Sequence, residues 1–281
     1  MELVRPESVD AAVAALGDGT VPLAGGTDLV PLLRDGIVRA ETLVELRRAL
    51  PHGVHRHDGG LRVGAATTLG ELEVDPELPD ALREACRLSA SPQLRAMGTI
   101  GGNLLQATRC WYWRLQFPCY LHGGERCHAK EGRHREHAFL GHDLCASAHP
   151  SDPAAALLAC GARLRTDRRE LPLADLYRLP TLDDRALTRL EPGELILELE
   201  LPEVDASTYL KAMDRRRWAF ALVGVAAARV KGETRIALAG AAPVPWLLGS
   251  PEELDAAGPL PETAYKVEIA RALVRRALDA L

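Results

Sequence analysis

The chain has 281 residues, 47% of them hydrophobic and 26% charged, with a formal net charge of -5. That length suits two packed subdomains better than one core, and the composition excludes wholesale disorder. The negative balance offers no footprint for nucleic acid, and no apolar run approaches the roughly 20 residues that a membrane helix needs.

The opening, MELVRPESVD, has acids and a proline where a secretory signal would be basic and then apolar. A cytoplasmic enzyme or enzyme subunit is therefore expected. Ser8 caps a first helix that Gly17 ends. VPLAGGTDLVPLLRDG follows as a short strand, a Gly-Gly turn and a helix beginning near Asp28 or Leu29. The amides from Leu23 through Ala24, Gly25, Gly26, Thr27 and Asp28 to Leu29 suit a concave donor surface for a pyrophosphate. Taken alone, the glycine pair reads equally as a strand-to-helix corner.

From Ile37 to Leu72 short strands alternate with turns, and His52, His55 and His57 fall in a solvated turn. A helix over LPDALREACRL leads into a second glycine turn, Thr99-Ile100-Gly101-Gly102-Asn103. Two such turns suit a cofactor with two phosphates and a long body. Further on, PSDPAAALLACGARLRT reads as a capped helix and then a strand. Asp152 stands at the helix entrance, where a carboxylate caps the helix or accepts from a ribose hydroxyl. ELILELELP alternates as a strand, three more strands form a meander up to PWLL, and an amphipathic helix closes the chain. The turn-rich stretch between Arg168 and Pro192 suggests two units, residues 1-175 and 176-281.

Between these elements the composition changes. Cys110, Cys119, Cys127 and Cys145 fall within one insertion at about 107-148, together with Trp111, Tyr112, Trp113, Phe117 and Tyr120. Cys86 and Cys160, set in ACRL and LLACGA, read instead as small buried hydrophobes. The intervals C-x8-C, C-x7-C and C-x17-C lack the close pairs typical of structural zinc. A larger cubane cluster accepts thiolates from four separate turns, and the aromatics would shield it. Spacing alone leaves three readings open: a [4Fe-4S] cluster, zinc with mixed Cys/His ligands, and four unligated thiols.

LAGGTDLVPLLRDG, RAMGTIGGNLLQATR, PSDPAAALLACGA and YLKAMDRRRWAFALVGVAAA together resemble the FAD-binding medium subunit of the molybdenum hydroxylases, the family of xanthine and carbon monoxide dehydrogenases. RCWYWR and the cysteines after it resemble a narrower branch, the 4-hydroxybenzoyl-CoA reductase type, whose flavin subunit carries an extra [4Fe-4S] cluster. The resemblance implies an α+β chain. Its FAD-binding fold would be of the two-subdomain vanillyl-alcohol-oxidase type, followed by a small C-terminal α+β domain with a three-stranded antiparallel sheet. FAD would lie on Leu23 to Leu29 and on Thr99, Gly101, Gly102 and Asn103, with Gln106 beside the flavin and Asp152 on the ribose side. Ile196 would pack near the isoalloxazine, Lys211 would reach the cofactor, and the four loop cysteines would hold the cluster. No general acid or base is assigned. Around Trp218 and Ala219 the chain departs from relatives that carry an acidic residue. The chain has no pterin domain and no CxxC framework, which implies a molybdopterin-binding large subunit and a [2Fe-2S] small subunit as partners. A ferredoxin-like protein or NAD would be the external electron partner. Rival readings are a zinc-braced flavoprotein, a self-sufficient FAD oxidase and an assembly subunit without cofactor.

Overall fold

A computed structural model describes residues 1-214 and 220-281; the positions of Trp218 and Ala219 lie outside them. The chain begins with a small parallel sheet in the order β1-β3-β2, built from β1 (Glu2–Val4), β2 (Thr20–Leu23) and β3 (Thr42–Glu45). Parallel strands need crossovers, and α1 (Val9–Ala14) and α2 (Leu29–Arg34) supply them. Ser8 caps α1 by accepting from the Ala11 amide at 3.2 Å, as its sequence context predicts.

A five-stranded sheet follows, formed by β4 (Val54–His57), β5 (Gly60–Gly64), β6 (Arg163–Thr166), β7 (Glu170–Pro172) and β8 (Ile196–Leu201). Its pairings are antiparallel, with β8 between β5 and β6. Between β5 and β6 in sequence lie α3 (Leu69–Leu72), α4 (Asp80–Arg87), α5 (Pro92–Arg95) and α6 (Ile100–Leu104). The cysteine loop then carries α7 (Trp111–Arg114) and α8 (His128–Glu131), and α9 (Asp152–Ala159) follows it. Because β8 hydrogen-bonds to β5 and β6, the expected break after residue 175 falls inside this sheet. The change of sheet comes instead after Leu201.

The last unit is an antiparallel sheet in the order β12-β11-β10-β9: β9 (Ala206–Ala212), β10 (Val223–Val230), β11 (Glu233–Ala239) and β12 (Trp246–Leu248). It has four strands where three were expected. PWLL, read as the end of the meander, forms its own edge strand by pairing Trp246 with Leu238 and Leu248 with Ile236. Helix α10 (Ala264–Asp279) covers one face.

Helix α9 explains how the two units meet. Every one of its residues is buried, which is why DPAAALLA has no polar stripe. One side faces α4 and α6. The other meets Ala226, Ala228, Ala237 and Ala239 of the C-terminal sheet in the same core. Alternate residues of β10 and β11, among them Val223, Val225, Ile236 and Leu238, point to the opposite face. There they pack on α10 and on Phe139 and Leu140 of the cysteine loop. The loop's return limb is thus rooted in the second core. Among the described residues no helix is long and apolar enough to cross a membrane.

Candidate functional site

The two glycine segments meet. Gly25 lies so close to the backbone of the second segment that a Cβ there would stand 1.9 Å from the Met97 carbonyl oxygen. Gly26 has φ +72, a conformation that side chains resist. The second segment is a short helix, not a turn. Thr99 precedes α6, accepts from the Gly102 amide at 3.2 Å, and sends its carbonyl to the Asn103 amide at 2.8 Å. Ile100 and Gly101 donate to the carbonyls of Thr67 and Ala65, which fixes α6 against the end of β5. Among the described residues, the amides of Gly25, Gly26, Thr27 and Asp28 have no acceptor within the protein. They remain available to a ligand.

A cleft of about 400 Å³ opens where these segments converge. Ala24, Gly25, Gly26, Thr27, Asp28, Leu29, Thr99, Gly101, Gly102, Asn103, Gln106, Asp152 and Ile196 all line it. Two of the residues expected at the cofactor do not. Leu23 closes β2, where its carbonyl accepts from the Leu46 amide at 2.8 Å and its side chain lies beneath Gly26. Lys211 is buried to one side, donating to Asp152 at 2.7 Å and to the Leu88 carbonyl at 2.9 Å. Its ammonium is held by this pair, so it does not project into the cleft.

Of the two roles expected for Asp152, the cap is filled by another residue. Ser151 caps α9, accepting from the Ala154 amide at 3.0 Å. The Asp152 carboxylate instead takes Lys211 on one oxygen and the Tyr209 hydroxyl, at 2.6 Å, on the other. Burial drives the Tyr209 phenol well above its ordinary range, and the adjacent carboxylate adds to the effect. This cluster binds β9 of the C-terminal sheet to the helix that edges the cleft.

Arg109, Glu194 and Phe220 also line the cleft and carried no signal in the sequence. The Arg109 guanidinium lies 4.8 Å from the centre of the Phe220 ring and reaches Asp28 at 2.8 Å and Gln106 at 3.0 Å. Burial works against charge on Glu194. Even so, Arg169, the Glu191 amide and Thr166 hold its carboxyl below the usual range.

Residues 1–204 match the family model of the FAD binding domain in molybdopterin dehydrogenase. The chain belongs to this family. As a member of it, the chain is an FAD-binding oxidoreductase subunit of the molybdenum hydroxylase type. It is 37% identical over 254 residues to the aldehyde oxidoreductase FAD-binding subunit PaoB of Escherichia coli (strain K12), covering 84% of this chain and 80% of that one. A carbon monoxide dehydrogenase medium chain from Afipia carboxidovorans is 39% identical over 107 residues, a match spanning 35% of this chain and 37% of the relative. Among solved structures, a carbon monoxide dehydrogenase from Hydrogenophaga pseudoflava superposes with a TM-score of 0.72 at 23% identity, covering 100% of this chain and 96% of that one. At that identity the likeness speaks for the fold.

Within this flavoprotein the four loop cysteines line one small cavity with Tyr112, Trp113 and Tyr120. Cys86 and Cys160 are buried elsewhere, in the core around α9. Cys110 and Cys127 occupy the position just before α7 and α8, and Cys119 stands just before a short 3-10 turn. A residue there meets the free amides of a first helical turn, which favour a thiolate. Cys145, whose Sγ donates to Ser147 at 3.3 Å, also lies against Cys127, whose thiol is thereby lowered, with help from the amides of Ala146, Ala129 and Lys130. The same contact and burial raise Cys145. Burial pushes Cys110 up to about 11 against the pull of the Trp113 and Tyr112 amides. His137, itself buried, brings Nε2 to 3.2 Å from Cys110 Sγ. Among the described residues, no three His, Cys, Asp or Glu side chains gather closely enough for a single metal ion.

Proposed function

We propose that this chain is the FAD-carrying electron-transfer subunit of a molybdenum hydroxylase-type enzyme and that its cysteine loop holds a [4Fe-4S] cluster. One observation carries the second part: cysteines scattered across the loop converge on one cavity, while the two outside it do not. The donor set fits a multi-iron cluster. Four soft sulfur ligands line one space, the amides that open α7 and α8 bond Cys110 and Cys127, and aromatic side chains share the wall. The intervals between the four cysteines lack the close pairs typical of a structural zinc site.

When bound, the two groups supply electron exchange, in pairs or singly at flavin and singly at iron–sulfur. The protein's work is placement. The free amides of Gly25 to Asp28 hold the diphosphate, and Thr99, Gly101, Gly102 and Asn103 close over it from α6. Gln106 and Ile196 bound the flavin end, and Asp152 supports the ribose side through the wall it builds with Lys211. Arg109 and Phe220 line both this cleft and a smaller cavity that Cys110 also lines, and Cys110 lines the sulfur cavity as well. Arg109–Cys110 is therefore the covalent bridge between the two centres. Molybdenum chemistry belongs to a molybdopterin-binding large subunit, and a [2Fe-2S] small subunit connects it to this flavin. The external partner is a ferredoxin-like protein or NAD. This branch assignment, of the 4-hydroxybenzoyl-CoA reductase type, rests on the cysteine loop.

Iron, acid-labile sulfide, zinc and flavin assays on anaerobically purified chain test the reading. One FAD with about four irons and four sulfides per chain is expected. Zinc without sulfide would reduce the loop to a structural brace.

A further inference from the structure

Asp28 occupies the N-cap position of α2, where an aspartate ordinarily accepts from its own helix, yet it makes no such bond. Its carboxylate is turned to the cysteine loop instead. One oxygen takes Arg109 and Arg114, each at 2.8 Å, and the other takes the Ala107 amide at 2.8 Å. The three side chains are about four-fifths buried, so their charges are poorly screened. Arg114 is the last residue of α7, the helix that Cys110 begins, and its Nε also donates to the Thr108 carbonyl at 2.9 Å. A second tie lies at the other end of α2, where Gln116 donates to the Asp35 carbonyl at 3.0 Å. The first limb of the cysteine loop is thus fastened along the helix whose leading turn edges the cleft.

We propose that the Asp28–Arg109–Arg114 cluster is a latch coupling the two sites, so that filling the cysteine cavity strengthens FAD binding and FAD binding strengthens the cysteine centre. Asp28 is then a positioning residue. Its backbone serves the phosphate loop, and its side chain reports the state of α7. The latch also explains how an acidic side chain is tolerated next to a bound diphosphate, since two guanidiniums offset its charge. Any centre that orders Cys110 orders α7. Ordered α7 holds Arg114 on Asp28, and Asp28 in turn fixes the run of free amides. Linkage makes the effect reciprocal.

The inference rests on the cysteine cavity being a metal centre, and its test separates the two ideas. Arg114 is the residue to change because it does not line the cleft. FAD affinity would be measured by flavin fluorescence on the full chain, in iron- and sulfide-loaded and chelator-stripped states, for wild type, Arg114→Met and Arg114→Lys. In the wild type, stripping should weaken FAD binding about tenfold. In Arg114→Met, FAD should bind more weakly in both states and respond less than twofold to loading, and Arg114→Lys should recover part of the response. A wild type indifferent to stripping, or an Arg114→Met chain with the full response, overturns the latch. If the chain takes up no iron, the cluster reading fails. The coupling then falls with it, and what stands is only the support that Arg114 gives the phosphate loop through Asp28, if stripped Arg114→Met binds FAD about tenfold more weakly than stripped wild type; equal affinities overturn that as well. Thermal melts followed by circular dichroism confirm that both variants are folded.

Discussion

The cleft and the cysteine cavity are neighbours built on opposite plans. The cleft is main-chain chemistry: glycines without side chains and unpaired amides, gathered from strand ends distant in sequence. The cavity is side-chain chemistry gathered from one contiguous loop, whose regular structure amounts to single helical turns. The first depends on the whole fold being correctly docked. The second depends on what pins a loop to that fold. Substitutions should therefore damage the two in different ways.

The largest effect is expected where the cleft leans on the second domain. Lys211 and Asp152 are almost fully buried, and removing the lysine leaves a carboxylate uncompensated. Lys211→Met should lower the unfolding free energy by about 3–5 kcal/mol. Adding Asp152→Asn to it should restore a part, as a denaturant-melt cycle will measure. If Lys211→Met melts like wild type, this cluster does not join the domains.

Next comes the backbone approach itself. Gly25→Ala drives a methyl into the Met97 carbonyl, and neither partner is a flexible side chain. FAD affinity should fall at least about a hundredfold, equivalent to about 2.7 kcal/mol. Retention of wild-type flavin content would show that the two segments can part without cost.

The same contrast decides what could be read from the sequence. Gly-Gly pairs flanked by threonine are visible in one dimension because glycine at close approach has few substitutes. Four cysteines in an aromatic loop are visible because few other roles need them. What escaped notice was the wall made by ordinary residues. Arg109, Glu194 and Phe220 gain their place only when α6, the turn before β8 and the segment before β10 come together. Asp152 and Lys211 stand out as site candidates, but nothing along the chain says that they pair with each other across two domains. PWLL was too short to separate from the meander before its pairing with β11 was seen. The boundary expected after residue 175 falls inside a sheet for a related reason. A turn-rich stretch marks a break in pattern, whereas β8 returns after it to the middle of the earlier sheet.

Acid offers a way to strain the cleft without a mutation. His149 is buried beside Pro150, which lines the cleft, and its amide ties to the Ala242 carbonyl in the C-terminal unit. Burial lowers its imidazole to about 3, from 6.5. The unfolded chain therefore binds the proton more readily. Stability is complete above pH 6.5 and drains away as pH falls toward about 3. By pH 5 the loss from this residue should reach about 2 kcal/mol. Urea melts at pH 7 and pH 5 measure it, and His149→Gln should remove that share of the slope. An equally steep slope in the variant would place the acid sensitivity elsewhere.

The smallest global change should accompany the most local one. Lys266 projects from α10 into complete burial and donates to the carbonyls of His137 and Gly240, each at 2.7 Å. The first of these belongs to the return limb of the cysteine loop, next to the imidazole that touches Cys110. Burial presses the ammonium down to about 7, so much of what its hydrogen bonds contribute is offset by the cost of enclosing it. Lys266→Met should therefore shift overall stability by only about 1 kcal/mol near neutral pH. The carbonyl of His137 would nonetheless lose its donor, and the limb carrying Cys145 its anchor to the second core. In metal-free protein, thiol labelling of the loop should then quicken several-fold while flavin affinity changes far less, because local opening need not follow global unfolding. Labelling at the wild-type rate would mean that Phe139 and Leu140, packed under α10, hold the limb unaided.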